Sequence, residues 1–148
     1  MKVKNFKKWI ISAGVFNMVA AFPLSMPFLY KPYYSMFNYL NSALNLGGKE
    51  LIAPVEGVNM LFVNTSGLAL FLVGMVLIYA SKNVKERIEI PLLNAVVRFV
   101  FAFVLFYYVF VENIAGILIV IAVIDLIIVI AFSFYIFELK KEKNKINE

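Results

Sequence analysis

The chain of 148 residues is 63% hydrophobic and only 16% charged, with a formal net charge of +5 and a mean hydropathy of +0.88. Soluble domains carry about a quarter charged residues, so a soluble enzyme, a disordered tail and a secreted disulfide scaffold are excluded, which leaves a polytopic membrane protein. The absence of cysteine and histidine removes thiol redox pairs, iron–sulfur clusters, bis-histidine haem and a Ser–His–Asp triad, so neither a metal nor a cofactor is expected.

A membrane-spanning helix needs roughly 20 mostly apolar residues, and four stretches qualify, at 9–30, 60–80, 90–111 and 114–137. The runs 68–80 and 114–131 are apolar all round and lack the alternation of a barrel strand, so helices are the reading. The expected fold is a single all-α domain over 1–148, an integral membrane four-helix bundle with an additional interfacial amphipathic helix between spans one and two.

The first span follows Lys2, Lys4, Lys7 and Lys8 and has the look of a secretory signal. Three further spans follow it, so it is expected to be retained as an anchor. Pro23 and Pro27 lie in its outer third, where each removes a backbone hydrogen bond, and the helix should kink or end there. Asn17 sits about midway along it.

The outer segment 31–59 is the one long connection. Tyr33, Met36, Phe37, Leu40 and Leu44 share one face at helical spacing. Ser35, Asn38, Asn41, Ser42 and Asn45 occupy the other, and Gly47-Gly48 supplies the stop. This helix either lies flat in the outer interface or folds over the mouth of the bundle.

In the second span, Gly67 and Gly74 permit close helix packing, while Asn64, Thr65 and Ser66 could line an entrance. The loop after it carries Lys82, Lys85 and Arg87, and the tail 138–148 carries Lys140, Lys141, Lys143 and Lys145. With the N-terminal lysines these make eleven basic residues on one side, against Lys31 and Lys49 on the other. The positive-inside rule then makes both termini cytoplasmic. The same placement explains the basic balance, so nucleic acid is not an expected partner.

Two charges lie well inside the spans, Arg98 on the third and Asp125 on the fourth. A lone central charge costs about 2.5–3.5 kcal/mol on insertion scales and is usually paired. The turn around 112–115 is very short, so the two helices must be antiparallel neighbours with these residues at similar depth. An Arg98–Asp125 ion pair is the cheapest arrangement. Asn94 lies one turn before Arg98 on the same face. The expected polar centre is Asn17, Asn94, Arg98 and Asp125, with Asn64 less closely attached. The third span also carries Phe99, Phe101, Phe103, Phe106, Tyr107, Tyr108 and Phe110. These surround the helix, so some must face lipid. They serve as packing and interfacial anchors or as a stacking wall for a ligand.

The layout has a family likeness. Ala13-Gly14-Val15-Phe16-Asn17, a proline-containing exit, a second span ending in Tyr79-Ala80-Ser81, a basic loop, the single cation Arg98, and Asp125 before an aromatic-rich helix end together resemble the DoxX-like or BphX-like small four-helix bacterial membrane proteins. The resemblance implies a four-helix bundle in the cell inner membrane, with Asn17, Arg98 and Asp125 as the matching polar positions. The family name derives from a quinone-linked oxidoreductase complex. A chain without cysteine or histidine departs from direct redox catalysis by its own side chains, which leaves an accessory or quinone-contacting role.

Three functions are in view. The first is a non-catalytic module that binds a lipophilic small molecule (quinone, isoprenoid or lipid), or a partner membrane subunit or second copy of itself, around the Arg98–Asp125 pair within the lipid bilayer. The second is proton- or solute-coupled transport using Asp125. The third is a lipid- or quinone-directed enzyme, with Asp125, Glu56 and Tyr107 as acid or base groups and Arg98 steadying negative charge. No nucleophile–base arrangement marks any residue as catalytic.

Overall fold

The computed structural model describes residues 2–147, with side chains from 3 to 141. Among the described residues it is all-helical: α1 (Lys2–Ser25), α2 (Tyr30–Ala43), α3 (Gly57–Ala80), α4 (Glu89–Phe110) and α5 (Ile117–Asn147). Four of these, all but α2, are long and apolar enough to cross a membrane. The span expected over 9–30 starts earlier and stops at Ser25, because Met26 precedes Pro27 and a residue before proline avoids helical backbone. Tyr30, assigned to that span, instead opens α2. The fourth span begins at Ile117 rather than 114. The expected tail 138–148 continues α5 as far as Asn147, with the side chains of 142–147 and all of Glu148 outside the described residues.

The spans pair as α1 with α3 and α4 with α5. Glycine sets the first pairing. A Cβ built on Gly74 would stand 2.6 Å from the Gly14 carbonyl oxygen, and one on Gly67 would stand 2.5 Å from the Ser25 nitrogen. The two backbones touch, as small residues permit in lipid. Asn64 strengthens this seam: its Nδ2 donates to the Leu24 carbonyl at 2.8 Å, satisfying an acceptor that the end of α1 leaves without a helical partner.

At the face holding the termini and the α3–α4 loop, Phe6, Ile10, Ala13, Leu77, Ala95, Ile128, Phe132 and Ile136 form the main apolar core. Phe6 meets Phe132 edge-on at 5.6 Å and stacks on Tyr135 at 5.4 Å. In the adjoining loop, Arg87 lies 3.8 Å over the Tyr79 ring and its Nη1 donates to the Tyr79 carbonyl at 2.9 Å, a cation placed on the negative C-terminal end of α3.

The opposite face is built by asparagines. Asn38 and Asn41, on the polar face of α2, both bond the neighbouring backbone, Asn38 half-buried and Asn41 buried. Asn38 makes a two-way pairing with the Leu51 backbone, Nδ2 to the carbonyl at 3.0 Å and the amide to Oδ1 at 2.8 Å. Asn41 is 8% exposed. Its Oδ1 accepts the Ile117 amide at 2.8 Å, capping α5 from far along the chain, while its Nδ2 donates to the Gly47 carbonyl at 2.9 Å. Gly47 and Gly48 take positive φ, and a Cβ on Gly48 would lie 2.3 Å from the Ile114 carbonyl oxygen. The loop thus runs backbone to backbone against the α4–α5 turn, with the Lys49 amide donating to Asn113 O at 2.7 Å. Asn41→Ala leaves the buried Ile117 amide without its acceptor. It is expected to cost about 1–3 kcal/mol and to speed hydrogen exchange at that amide selectively.

Candidate functional site

α4 and α5 bring Arg98 and Asp125 together as the sequence anticipates, and α1 completes the group. Arg98 Nη1 donates to Asp125 Oδ1, Nη2 donates to Asn17 Oδ1 and, at 3.4 Å, to the Ala13 carbonyl, and Nε donates to Asn94 Oδ1 at 2.9 Å. The guanidinium carbon lies 6.0 Å from the centre of the Phe16 ring. Arg98 and Asp125 are 5% and 3% exposed, and Asn17 and Asn94 are 9% and 8% exposed. An arginine can only donate, so both asparagine oxygens must face it and both amide nitrogens turn elsewhere. The rigid guanidinium fork thereby fixes the orientation of three helices at one depth.

Asn64 is not part of this group; it ties α3 to α1 nearer the α2 face. Thr65 is exposed and returns its hydroxyl to the Leu61 and Phe62 carbonyls, at 2.8 and 3.2 Å. Of the aromatics on α4, Phe101 alone joins the site. Phe99, Phe103, Tyr107 and Phe110 turn outward.

Above the polar group, on the α2 side, lies a cavity of about 590 Å³, within the usual range for small-molecule sites. Its polar end is Asn17, Asn94, Arg98 and Asp125. Its walls include Phe16, Ala20, Leu70, Val73, Val97, Ile121 and Ile124, and its roof is Tyr33, Tyr34, Phe37 and Leu40 of α2. The expected apolar face of α2 is therefore divided: Tyr33, Phe37 and Leu40 look into the cavity, whereas Met36 and Leu44 point away and are 43% and 59% exposed. Burial raises the Tyr33 and Tyr34 hydroxyls above their ordinary pKa, with Tyr30 adding to the shift at Tyr34, so these phenols remain protonated donors at neutral pH.

α2 packs on α1 and α5, while α3 and α4 make the sparsest contact of the spans consecutive in the chain. Leu70 and Val73 of α3 and Val97 and Phe101 of α4 border this seam, each lining the cavity and each more than a third exposed. Leu40 of α2 and Val120 of α5 also line the cavity and are 36% and 41% exposed.

No family model, curated protein or solved structure matches the chain.

Proposed function

We propose that the protein is a non-catalytic membrane module that takes a lipophilic small molecule from the surrounding bilayer and holds its polar end against the Arg98–Asp125 group. One observation carries this reading: an apolar cavity roofed by α2 converges on four buried polar side chains. Transport through Asp125 has less support. The aromatic core around Phe6, Phe132 and Ile136 lies between the polar group and the terminal face, and a proton relay needs polar stations across such a layer. An enzyme has less support still, since Glu56 and Tyr107 lie away from Asp125 and do not line the cavity.

The eleven basic residues support cytoplasmic termini under the positive-inside rule. With the DoxX-like pattern at Asn17, Arg98 and Asp125, they support a home in a bacterial inner membrane.

The test is mass spectrometry of lipids extracted from protein purified in mild detergent. Wild type is expected to carry a lipophile at near-stoichiometric amount. Val97→Trp, at a seam position 56% exposed, is expected to lose most of it with an unchanged unfolding temperature. A wild-type preparation without a retained lipophile, or a Val97→Trp variant that keeps its full load, would overturn the reading.

A further inference from the structure

The hydrogen-bonding groups that the polar cluster leaves unused define the head of the molecule it can take. Arg98 directs its Nε, one Nη1 hydrogen and its Nη2 group to Asn94, Asp125, Asn17 and the Ala13 carbonyl. Among the described residues, three polar atoms of the cluster have no protein partner: Asp125 Oδ2, Asn17 Nδ2 and Asn94 Nδ2. No polar side-chain atom among the described residues is both sealed from solvent and unsatisfied, so the surface these atoms retain belongs to the cavity that their residues line. The cavity's polar end therefore presents two amide groups that donate and one carboxylate oxygen that accepts. The second Nη1 hydrogen of Arg98 lies beside them.

The charge at this end is balanced. The guanidinium and carboxylate are in contact, and both are more than nine-tenths buried. An anionic head would be drawn to Arg98 and repelled by Asp125 at nearly the same distance, so little attraction would remain to offset its own desolvation. A cationic head meets the same cancellation with signs reversed. An uncharged head avoids the penalty and can use every free group. Its carbonyl or ether oxygens accept from Asn17 and Asn94, and its hydroxyl donates to Asp125 Oδ2.

Resting on the lipophile-binding reading above, we propose that the ligand is an uncharged membrane amphiphile. Its head carries at least one hydroxyl and at least one carbonyl or ether oxygen, and its hydrocarbon tail fills the space beneath Tyr33 and Phe37. Phospholipids, fatty acids and amines are then poor ligands despite having suitable tails.

The test holds the tail constant and varies the head. Displacement of radiolabelled monooleoylglycerol from the intact protein in detergent micelles is measured with monooleoylglycerol, methyl oleate, oleate, oleoyl lysophosphatidate and oleylamine. Monooleoylglycerol is expected to bind roughly tenfold or more tighter than each charged probe. Methyl oleate, which has the ester but no hydroxyl for Asp125, falls between. Asp125→Asn keeps the shape of the side chain and leaves Arg98 unbalanced, so its preference should move toward oleate and lysophosphatidate. Should that variant not fold, Asn17→Ala provides the check by weakening monooleoylglycerol several-fold while leaving oleylamine unaffected. Binding of any charged probe as tightly as monooleoylglycerol overturns the uncharged head and leaves the cavity's role standing. Absence of saturable binding by both radiolabelled monooleoylglycerol and radiolabelled oleate overturns the lipophile-binding reading itself.

Discussion

Arg98→Ala is expected to lower the stability of the folded bundle by about 3–5 kcal/mol, because it strands a buried carboxylate without its counter-ion. It also removes the hub that Asn17, Asn94 and the Ala13 carbonyl share, so the unfolding temperature in detergent should fall sharply and retained lipophile should disappear. The two effects can be separated. Replacing both charges at once, as Arg98→Leu with Asp125→Leu, leaves no ion unpaired, and buried pairs replaced by apolar residues of similar bulk are often neutral or stabilising. The double variant should recover most of the lost stability and still retain no ligand. An Arg98→Ala protein that melts with wild type would mean that Asp125 is not held by the guanidinium in the folded molecule.

The second large effect is expected at the α1–α3 contact. Gly74→Val places a branched Cβ where the Gly14 carbonyl oxygen would be 2.6 Å away and the Met18 side chain 2.7 Å away. The obstruction includes backbone, so side-chain rotation cannot relieve it and the helices must separate. Overpacking of this kind costs typically about 1–3 kcal/mol, and a displaced α1 would also weaken the hydrogen bond from Arg98 to Asn17. Both the unfolding temperature and lipophile retention should drop. Gly57→Ala is the matched control: nothing lies within 4 Å of its added Cβ, and it should behave as wild type. Equal behaviour of the Gly74 and Gly57 variants would dissociate the glycine seam from stability.

The sequence makes the Arg98–Asp125 pair legible because three independent facts converge on it: opposite charge, a turn too short to separate the helices, and matching depth counted along each helix. Asn94 follows from helical spacing. Asn17 is found by depth alone, and the structure supplies the bond that depth cannot. Gly67 and Gly74 are legible as packing residues, although their partner faces on α1 become evident only when the helices are set together. The asparagines of α2 are not legible. In an amphipathic pattern Asn38 and Asn41 look like a wetted face, and nothing local shows that Leu51 and Ile117 will arrive with unpaired backbone groups to receive them. Asn64 misleads in the same manner: its depth suggests an entrance, while its partner is a carbonyl freed by the end of α1. The cavity itself leaves no mark in the residue pattern. It lies where α3 and α4 make little contact beneath α2, and loose packing of two apolar helices has no periodic signature.

Both buried charges belong to one helical hairpin. Arg98 and Asp125 are 27 positions apart and joined through the tight turn between α4 and α5, so they can meet before that hairpin finds α1 or α3. The hairpin can thus enter the hydrocarbon with its two ions already neutralised, rather than delivering each separately at about 2.5–3.5 kcal/mol. The first three helices then need to offer only an uncharged dock. On this account biogenesis favours keeping acid and base on adjacent spans: moving the carboxylate to α1 could preserve the finished geometry, yet would oblige a bare guanidinium to cross the lipid boundary unaccompanied.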